Sequence, residues 1–391
     1  MNCTGLSLRT SWEEYIVVLR VATRNDFSLV ANCTSDVCGA FWGSGNPDIS
    51  GVGMVIGYLL ESIIAFGILC AFAYFEQRPP QHAKLPRLLL ATASRAFYNN
   101  AAFFAFAIQT ASIVAFIKLD FGAGSSDMGA LTIKIVWILS MLTLLPLLPL
   151  VLMQRIYDND ARTPSDSSTP LTEQTAALRN KSKRGGILGH YEDQGTDTMR
   201  AAQQDFRFLL LVVCWAMALY PFVFRMQGTF GEKLAGDSDG KIISTAEWSQ
   251  IKAVCFQGAN PISTPQDTLV TACGIISYLL VSIVVIGRIL NKIAKMFSAR
   301  WMVRLRRWSL RFYKWRTQCY TAMCVLVLAL LIVQFWGFFC LRQLQKHITA
   351  TAGGDFLDEQ WSFGQVVAGI VFLPVFVEVA FTWRKRSVYG V

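Results

Sequence analysis

The residues of this chain that are best suited to chemistry are three acidic side chains in or beside long apolar stretches. Glu61 lies ten residues into the first stretch, Glu378 lies inside the last one, and Asp48 comes just before the first. An ionisable group at membrane depth costs several kcal/mol, so it usually faces a bundle interior and marks a functional site. A low-dielectric surrounding favours the protonated form of a carboxyl group, which can then act as a general acid. We therefore predict Glu61, Asp48 and Glu378 as candidate catalytic residues.

Each of these carboxyl groups also has a structural interpretation that the sequence leaves open. The carboxyl of Glu61 can form a structural hydrogen bond to a neighbouring helix. Glu378 precedes Arg384 and Arg386 closely enough for either guanidinium to reach it. Asp48 stands among proline and glycine residues at the start of a span, where it can act as a helix N-cap.

Motifs of soluble enzymes and metal proteins are missing from the sequence. It has no glycine-rich phosphate loop, no GxSxG nucleophile elbow and no zinc-like pairing of cysteines. The three histidines, His82, His190 and His347, all lie in predicted loops, which argues against a histidine-based metal centre or catalytic triad within the membrane. No apolar stretch holds an acidic cluster that would bind magnesium diphosphate. We therefore predict no metal site and no cofactor.

The elements that must position the three acids are membrane-spanning helices. The chain is 53% hydrophobic and 16% charged, whereas soluble domains carry about 25% charged residues. Seven blocks of roughly 20 residues hold at most one charged residue each, and this is the length that a helix needs to cross a hydrocarbon core. These blocks are 51–75, 97–116, 130–153, 206–224, 269–290, 320–341 and 363–383. The pattern predicts an all-α integral membrane bundle of about seven transmembrane helices.

The charges between the blocks predict the orientation of the bundle. The odd-numbered loops and the tail carry an excess of lysine and arginine, which favours the cytosolic side. The linker after the third block is rich in Ser, Thr, Pro and Gly, and it buries too little apolar surface to order itself. We therefore predict a lumenal N-terminal segment at 1–50 without a cleavable signal peptide, transmembrane helices 1–3 at 51–153, a flexible cytosolic linker at 154–205, transmembrane helices 4–7 at 206–383, and a cytosolic tail at 384–391.

Cysteines and asparagines agree with this orientation. Asn2 and Asn32 begin glycosylation sequons in the segment predicted to be lumenal. Disulfides persist in such an oxidising compartment, and four cysteines allow three pairings among which the sequence does not choose. The four cysteines of the predicted lumenal segments are Cys3, Cys33, Cys38 and Cys255. These features predict a multi-pass glycoprotein of the endoplasmic reticulum or another endomembrane.

One loop has a composition of its own. The segment 291–318 interleaves nine basic residues with aromatic residues and holds no acid. This pattern is typical of a helix that lies in the headgroup plane, where its cations meet anionic lipid headgroups. The same pattern also suits RNA, and the net charge of +10 invites a nucleic-acid interpretation. Because positive charge gathers in the cytosolic loops of membrane proteins, we predict anionic lipid as the partner and no nucleic acid.

Two stretches of the sequence resemble motifs of a group of fungal polytopic membrane proteins. The first is Asn46-Pro-Asp48-Ile-Ser-Gly51-Val-Gly53, and the second is Trp361-Ser-Phe-Gly364-Gln365 with the later Pro374 and Glu378; they lead into the first and the last span. That group includes membrane-bound terpene cyclases of fungal meroterpenoid pathways, of the ascofuranone and ascochlorin kind.

This resemblance implies an isomerase-type terpene cyclase of secondary metabolism. Its substrate would be a lipophilic prenylated aromatic compound with an epoxidised farnesyl chain. An acid would open the epoxide, and the resulting cation would cyclise without any metal or organic cofactor. The resemblance maps no catalytic acid onto this chain, so Glu61 and Asp48 rest on residue chemistry alone.

The alternative function is that of a seven-helix membrane receptor or a transporter. Seven spans and a basic loop before the sixth span are typical of a G-protein-coupled receptor, but no DRY-like triplet ends the third span and no NPxxY motif occurs in the seventh. The scarcity of intramembrane charges and the missing internal repeat disfavour transport. A non-catalytic organising protein is a further alternative, in which Glu61 would tolerate replacement by glutamine.

Overall fold

A computed structural model describes residues 12–24, 27–76, 80–121, 129–152, 188–226, 242–259, 262–296 and 316–389. Within these ranges the chain is helical, and none of them contains a strand. Its α-helices, in chain order, are α1 (Trp12–Thr23), α2 (Thr34–Trp42), α3 (Pro47–Ser50), α4 (Val52–Glu76), α5 (Pro80–Phe121), α6 (Ala130–Leu144), α7 (Leu188–Met226), α8 (Thr245–Cys255), α9 (Thr264–Met296), α10 (Arg316–Thr351), α11 (Phe363–Ile370) and α12 (Leu373–Tyr389). Two 3-10 helices cover Phe27–Cys33 and Leu357–Glu359.

Seven of the helical segments are long and apolar enough to cross a membrane. Each predicted block falls inside one of them, apart from a single residue at the end of the third block. This agreement confirms an all-α, multi-pass membrane bundle. The segments are Pro47–Phe75, Leu85–Ile117, Ala130–Leu152, Asp205–Met226, Thr264–Ile293, Gln318–Thr351 and Phe363–Lys385.

Several helices continue well beyond the apolar blocks. α5 begins at Pro80 and therefore includes His82, and α10 ends at Thr351 and therefore includes His347. α7 begins at Leu188, so residues 188–205, predicted as part of the linker, are helical and include His190. The prediction that the three histidines lie in loops is therefore wrong, because a helix that leaves the hydrocarbon can continue with polar residues. The rest of the predicted linker, 154–187, and residues 297–315 of the basic segment lie outside the described residues.

The third span forms the centre of the bundle. In the apolar stretch of this span 94% of the residues are buried inside the bundle, whereas in that of the last span 17% are buried. α6 contacts α4, α5, α7, α9 and α10, while α12 packs along α5. α6 is apolar on every side, as expected for a helix with neighbours all round.

Buried hydrogen bonds join neighbouring spans at single points. Gln109 on α5 donates to the carbonyl oxygen of Ser140 on α6 at 2.7 Å, and the hydroxyl of Ser140 donates back to the Gln109 side chain at 2.6 Å. Such bonds fix which helix faces meet, because a polar side chain has few other partners within the hydrocarbon. Similar bonds run from Gln334 to Ser277, from Trp215 to Ser282, and from Gln345 to Thr132.

A small helical assembly covers one end of the bundle, which we call the N-terminal face (residues 12–50, 242–259 and 352–362). There the disulfide Cys38–Cys255 joins α2 to the end of α8, a pairing that the sequence left open. Cys33 is also disulfide-bonded, and Cys3 lies outside the described residues. The assembly therefore links segments from both halves of the chain covalently.

An ion pair holds α1 to α8 within this assembly. Arg20 donates from Nε and Nη2 to the two carboxylate oxygens of Glu247 at 2.9 and 2.8 Å. The hydrogen bonds from Arg20 lower the pKa of Glu247 to about 2, and the backbone amide and hydroxyl of Ser244 add to the effect. Ser244 and Glu247 also form the capping box that starts α8. One carboxylate thus both caps a helix and fastens it to a second one.

Candidate functional site

The side chain of Glu61 is fully buried in the interior of the bundle. It projects from α4 at a level where α5 and α7 approach. Neither carboxyl oxygen has a hydrogen-bond partner among the described residues. Buried polar groups in folded proteins almost always have such a partner, and a buried group without one lowers stability. Packing alone therefore does not account for Glu61 at this position.

Two polar groups close to Glu61 form hydrogen bonds to other residues. The carboxyl lies within electrostatic reach of the Tyr58 hydroxyl and the Cys214 thiol. The Tyr58 hydroxyl donates a hydrogen bond to the carbonyl oxygen of Ile49 at 2.8 Å. The thiol of Cys214 donates a hydrogen bond to the carbonyl oxygen of Ala102, with 3.6 Å between sulfur and oxygen. Both donors therefore bond to backbone carbonyl oxygens, and neither bonds to Glu61.

Aromatic rings adjoin this position on the side of the last span. Tyr58 lies one turn before Glu61, and its ring packs against Phe104 with centroids 5.4 Å apart. Phe104 in turn meets Phe372 edge-on, and Phe372 stacks on Phe97. The π faces of such rings attract positive charge. The neighbourhood of Glu61 thus combines a buried carboxyl group with aromatic surface.

The two stretches that resemble fungal motifs meet each other at the N-terminal face. Gln365 accepts a hydrogen bond from the backbone amide of Gly53 at 2.9 Å and donates to the carbonyl oxygen of Gln360 at 2.6 Å. A Cβ atom on Gly51 would lie 2.3 Å from the Gln365 amide nitrogen, and one on Gly53 would lie 2.6 Å from the Gln365 carbonyl oxygen. These glycines let α11 approach α4 closely, so the two stretches act together to set how the last span packs on the first.

A buried carboxylate completes this junction. Asp358 accepts hydrogen bonds from the Ser50 hydroxyl at 2.8 Å and from Nε of Arg342 at 3.2 Å. Burial raises the pKa of Asp358, and the hydrogen bond from Ser50 and the charge of Arg342 act in the opposite direction. Gly45, with φ of +101°, brings its backbone against this carboxylate. The sequence analysis gave Asp358 and Gln365 no individual role.

Asp48 lies apart from Glu61. Its side chain is exposed on the N-terminal face, thirteen residues before Glu61 along the chain. The cap of α3 is Asn46, whose side chain accepts from the Asp48 amide at 3.1 Å, so the interpretation of Asp48 as the N-cap is wrong by two residues. The Asp48 carboxylate instead lies beside the start of α11, 3.0 Å from where Gly364 would carry a Cβ atom.

Glu378 also lies apart from Glu61. It is exposed on α12, so it faces the surroundings of the bundle rather than its interior. No ion pair joins it to Arg384 in the described part of the chain, and the side chain of Arg386 lies outside that part. Of the three predicted acids, the structure therefore places Glu61 alone within the bundle.

The predicted glycosylation sites differ in what the structure says of them. Asn32 is exposed on the N-terminal face. Asn2 lies outside the described residues.

Comparisons with known proteins add no relative: no protein family model, no curated protein and no solved structure matches this chain. The resemblance of its two motifs to the fungal group stays a prediction.

Proposed function

We propose that this protein is an intramembrane enzyme in which Glu61 is the general acid. One observation carries the proposal: a carboxyl group in the interior of the bundle has neither solvent nor a hydrogen-bond partner in the described structure. A group that only held helices together would be expected to bond to one of them, as Gln109 does. A general acid must instead keep its proton for the substrate.

The reaction that we propose is the acid-catalysed opening and cyclisation of an epoxidised farnesyl chain on an aromatic ring. Glu61 donates its proton to the epoxide oxygen, and the carbon–oxygen bond breaks to leave a tertiary cation. An alkene or hydroxyl group of the substrate attacks the cation and closes the ring. The proton that the product then releases restores the acid, so substrate and product are isomers. The rings of Tyr58, Phe104 and Phe372 are suited to stabilise the cation.

The cellular setting follows the sequence predictions. We propose an endomembrane location such as the endoplasmic reticulum, with the N-terminal face in the lumen and glycosylated at Asn32. The disulfide Cys38–Cys255 supports this orientation, because disulfides form and persist in an oxidising compartment. The basic segment 291–318 would then meet anionic lipid headgroups on the cytosolic side.

A product assay tests the proposal. Microsomes that contain the full chain receive an epoxyfarnesyl phenol without added metal or nucleotide, and the products are analysed by mass spectrometry. The proposal predicts a new compound of unchanged mass, and its loss in Glu61→Gln. The control Glu359→Gln alters an exposed acid of the N-terminal face and should leave the yield unchanged.

The two candidate acids are separated in the same assay. Loss of product in Glu61→Gln alone assigns the acid to Glu61, and loss in Asp48→Asn alone assigns it to Asp48. Absence of any isomer from folded wild-type protein would contradict the cyclase. It would favour the alternative of a receptor or transporter, since a buried carboxyl without a partner also suits a proton-coupled transporter.

A further inference from the structure

A row of polar groups leads from Glu61 towards the N-terminal face. The hydroxyl of Tyr58 lies within electrostatic reach of two carboxyl groups, those of Glu61 and Asp358. It donates a hydrogen bond to the carbonyl oxygen of Ile49 at 2.8 Å. The next residue, Ser50, donates from its hydroxyl to Oδ1 of Asp358 at 2.8 Å. Tyr58 and Asp358 therefore bind to consecutive residues of the chain, and Glu61 lies one turn deeper in the span.

The outer end of this row lies just beneath the surface. Asp358 is fully buried, but its partner Arg342 keeps 19% of its side chain exposed. The residues that follow Asp358, Glu359 and Gln360, are exposed. Burial raises the pKa of Asp358, so this carboxyl group takes up a proton from water more readily than an exposed aspartate does. Asp358 is thus placed to exchange protons with water at the N-terminal face.

The inward side of α4 offers no such groups in the opposite direction. From position 65 onwards, the buried residues of α4 are apolar: Ala65, Ile68, Leu69 and Phe72. Hydrocarbon side chains neither donate nor accept hydrogen bonds, so a proton cannot move along them. A proton that reaches Glu61 from the far end of α4 would need groups on other helices.

Polar groups on α5 and α7 do lie on that side, but they end at arginines. The thiol of Cys214 lies within electrostatic reach of Glu61, and the hydroxyl of Tyr98 lies within reach of Cys214. Tyr98 donates to the carbonyl oxygen of Arg207 at 2.9 Å, and the charges of Arg207 and Arg288 act on it. An arginine keeps its proton at any ordinary pH, so it cannot pass one on. The row that ends at Asp358 is therefore the better proton path.

We propose that Glu61 exchanges its proton with water at the N-terminal face through Tyr58 and Asp358. When Glu61 is ionised, the hydroxyl of Tyr58 turns from Ile49 and gives its proton to the carboxylate. The Tyr58 oxygen receives a proton from Asp358 through the hydroxyl of Ser50, and water then reprotonates Asp358. Steps longer than one hydrogen bond can pass through bridging water. This relay rests on the proposed role of Glu61 as an acid, and it would serve a proton-coupled transporter equally.

Deuterium exchange of the Glu61 carboxyl group tests the relay. The full chain is reconstituted in lipid nanodiscs and mixed with heavy water, and infrared spectra follow the carbonyl stretching band of the protonated carboxyl. The band is assigned to Glu61 by its absence from Glu61→Gln. Tyr58→Phe and Asp358→Asn keep the shapes of the side chains but interrupt the relay, so each should slow the exchange at least about tenfold.

The direction of the change separates a relay from a structural role. A variant that only loosened the bundle would exchange faster than the wild type, because local opening admits water. The frequency of the band should stay at the wild-type value in Tyr58→Phe and in Asp358→Asn, because neither residue forms a hydrogen bond with the carboxyl of Glu61.

Tyr98→Phe is the matched control. Tyr98, like Tyr58, is a buried tyrosine of a span that donates to a backbone carbonyl oxygen, but it lies on the side that ends at arginines. Its variant should exchange at the wild-type rate. Each variant must retain the Cys38–Cys255 disulfide as a sign of folding.

Three results would overturn the relay. The first is a wild-type rate in folded Tyr58→Phe or in folded Asp358→Asn, for which Ser50→Ala is substituted where the latter does not fold. The second is exchange in Tyr98→Phe that is as slow as in Tyr58→Phe, which would place the path on the other side of the bundle. The third is a wild-type band that does not exchange. A wild-type spectrum without any band that Glu61→Gln removes would instead contradict the proposed acid itself, so the two failures are distinguishable.

Discussion

Replacing Glu61 by methionine should stabilise the protein while it abolishes activity. Methionine has a similar length and no polar group that needs a partner. The two oxygens of Glu61 form no hydrogen bond in the described structure, so the substitution removes a buried polar group and breaks no contact of that kind. A residue whose role is structural would show the opposite sign.

The size of the effect can be worked from the contacts. A buried polar group without a partner costs about 1–3 kcal/mol, so Glu61→Met should raise the free energy of unfolding by about that amount. A change of 1 kcal/mol shifts the melting temperature of a large domain by about 2 °C. We therefore expect the Glu61→Met variant to melt roughly 2–6 °C above the wild type.

Gln109→Met is the matched control. Gln109 is also fully buried in a span, but its side chain exchanges two hydrogen bonds with Ser140. Membrane hydrogen bonds of this kind contribute about 0.6–1.7 kcal/mol each, so Gln109→Met should lower the melting temperature by roughly 2–7 °C. Both variants are purified in one detergent and heated while intrinsic fluorescence is recorded.

The opposite signs make the comparison decisive. If Glu61→Met melted below the wild type by as much as Gln109→Met, Glu61 would have a structural partner. Its proposed role as a proton donor would then lose its basis.

Three further results are expected. The pKa of Glu247 is about 2 in the folded protein, and its ordinary value is 4.5. The ion pair with Arg20 therefore adds stability above pH 4.5, and this stability is lost as the pH falls towards 2. Because solvent reaches Arg20, the ion pair adds about 1 kcal/mol, and Glu247→Gln should remove this part of the acid sensitivity of the melting temperature. Gly53→Ala should destabilise the protein by about 1–3 kcal/mol, because the added methyl group would collide with Gln365. Gly67 has open space around it, so Gly67→Ala should not destabilise the protein. Thermal melting of both variants measures the difference. Glycosidase should shift the gel mobility of the wild type more than that of Asn32→Gln.

The spans could be predicted because a helix that crosses the hydrocarbon core must be apolar, and this shows in the composition alone. A run such as 320–341, which holds no charged residue, needs no tertiary partner to be recognised as a span. The ends of the helices escaped prediction for the same reason. Outside the hydrocarbon, where α5 begins at Pro80 and α7 at Leu188, polar residues carry no such cost. A helix there has no apolar run by which the sequence would reveal it.

The site was predicted in part. The cost argument for carboxylates at membrane depth applies to Glu61 and Glu378 alike, but the sequence does not tell which side of a nearly uniformly apolar helix faces inward. Only packing decides that, and it turns Glu378 outward. The contacts of Gln365 and Asp358 could not be predicted because the groups they bind, Gly53 and Ser50, are 312 and 308 residues away in the chain.

The disulfide between Cys38 and Cys255 also makes the molecule a covalent loop. It connects residues 217 positions apart, and the connection between the third and fourth spans lies inside that loop. A protease that cuts this connection once therefore opens the loop but releases neither piece. The nicked chain should migrate as a single species without reductant and separate into two fragments, with three and four spans, when thiol is added. The same bond would allow the two pieces to be produced as separate polypeptides and isolated as one covalently joined molecule.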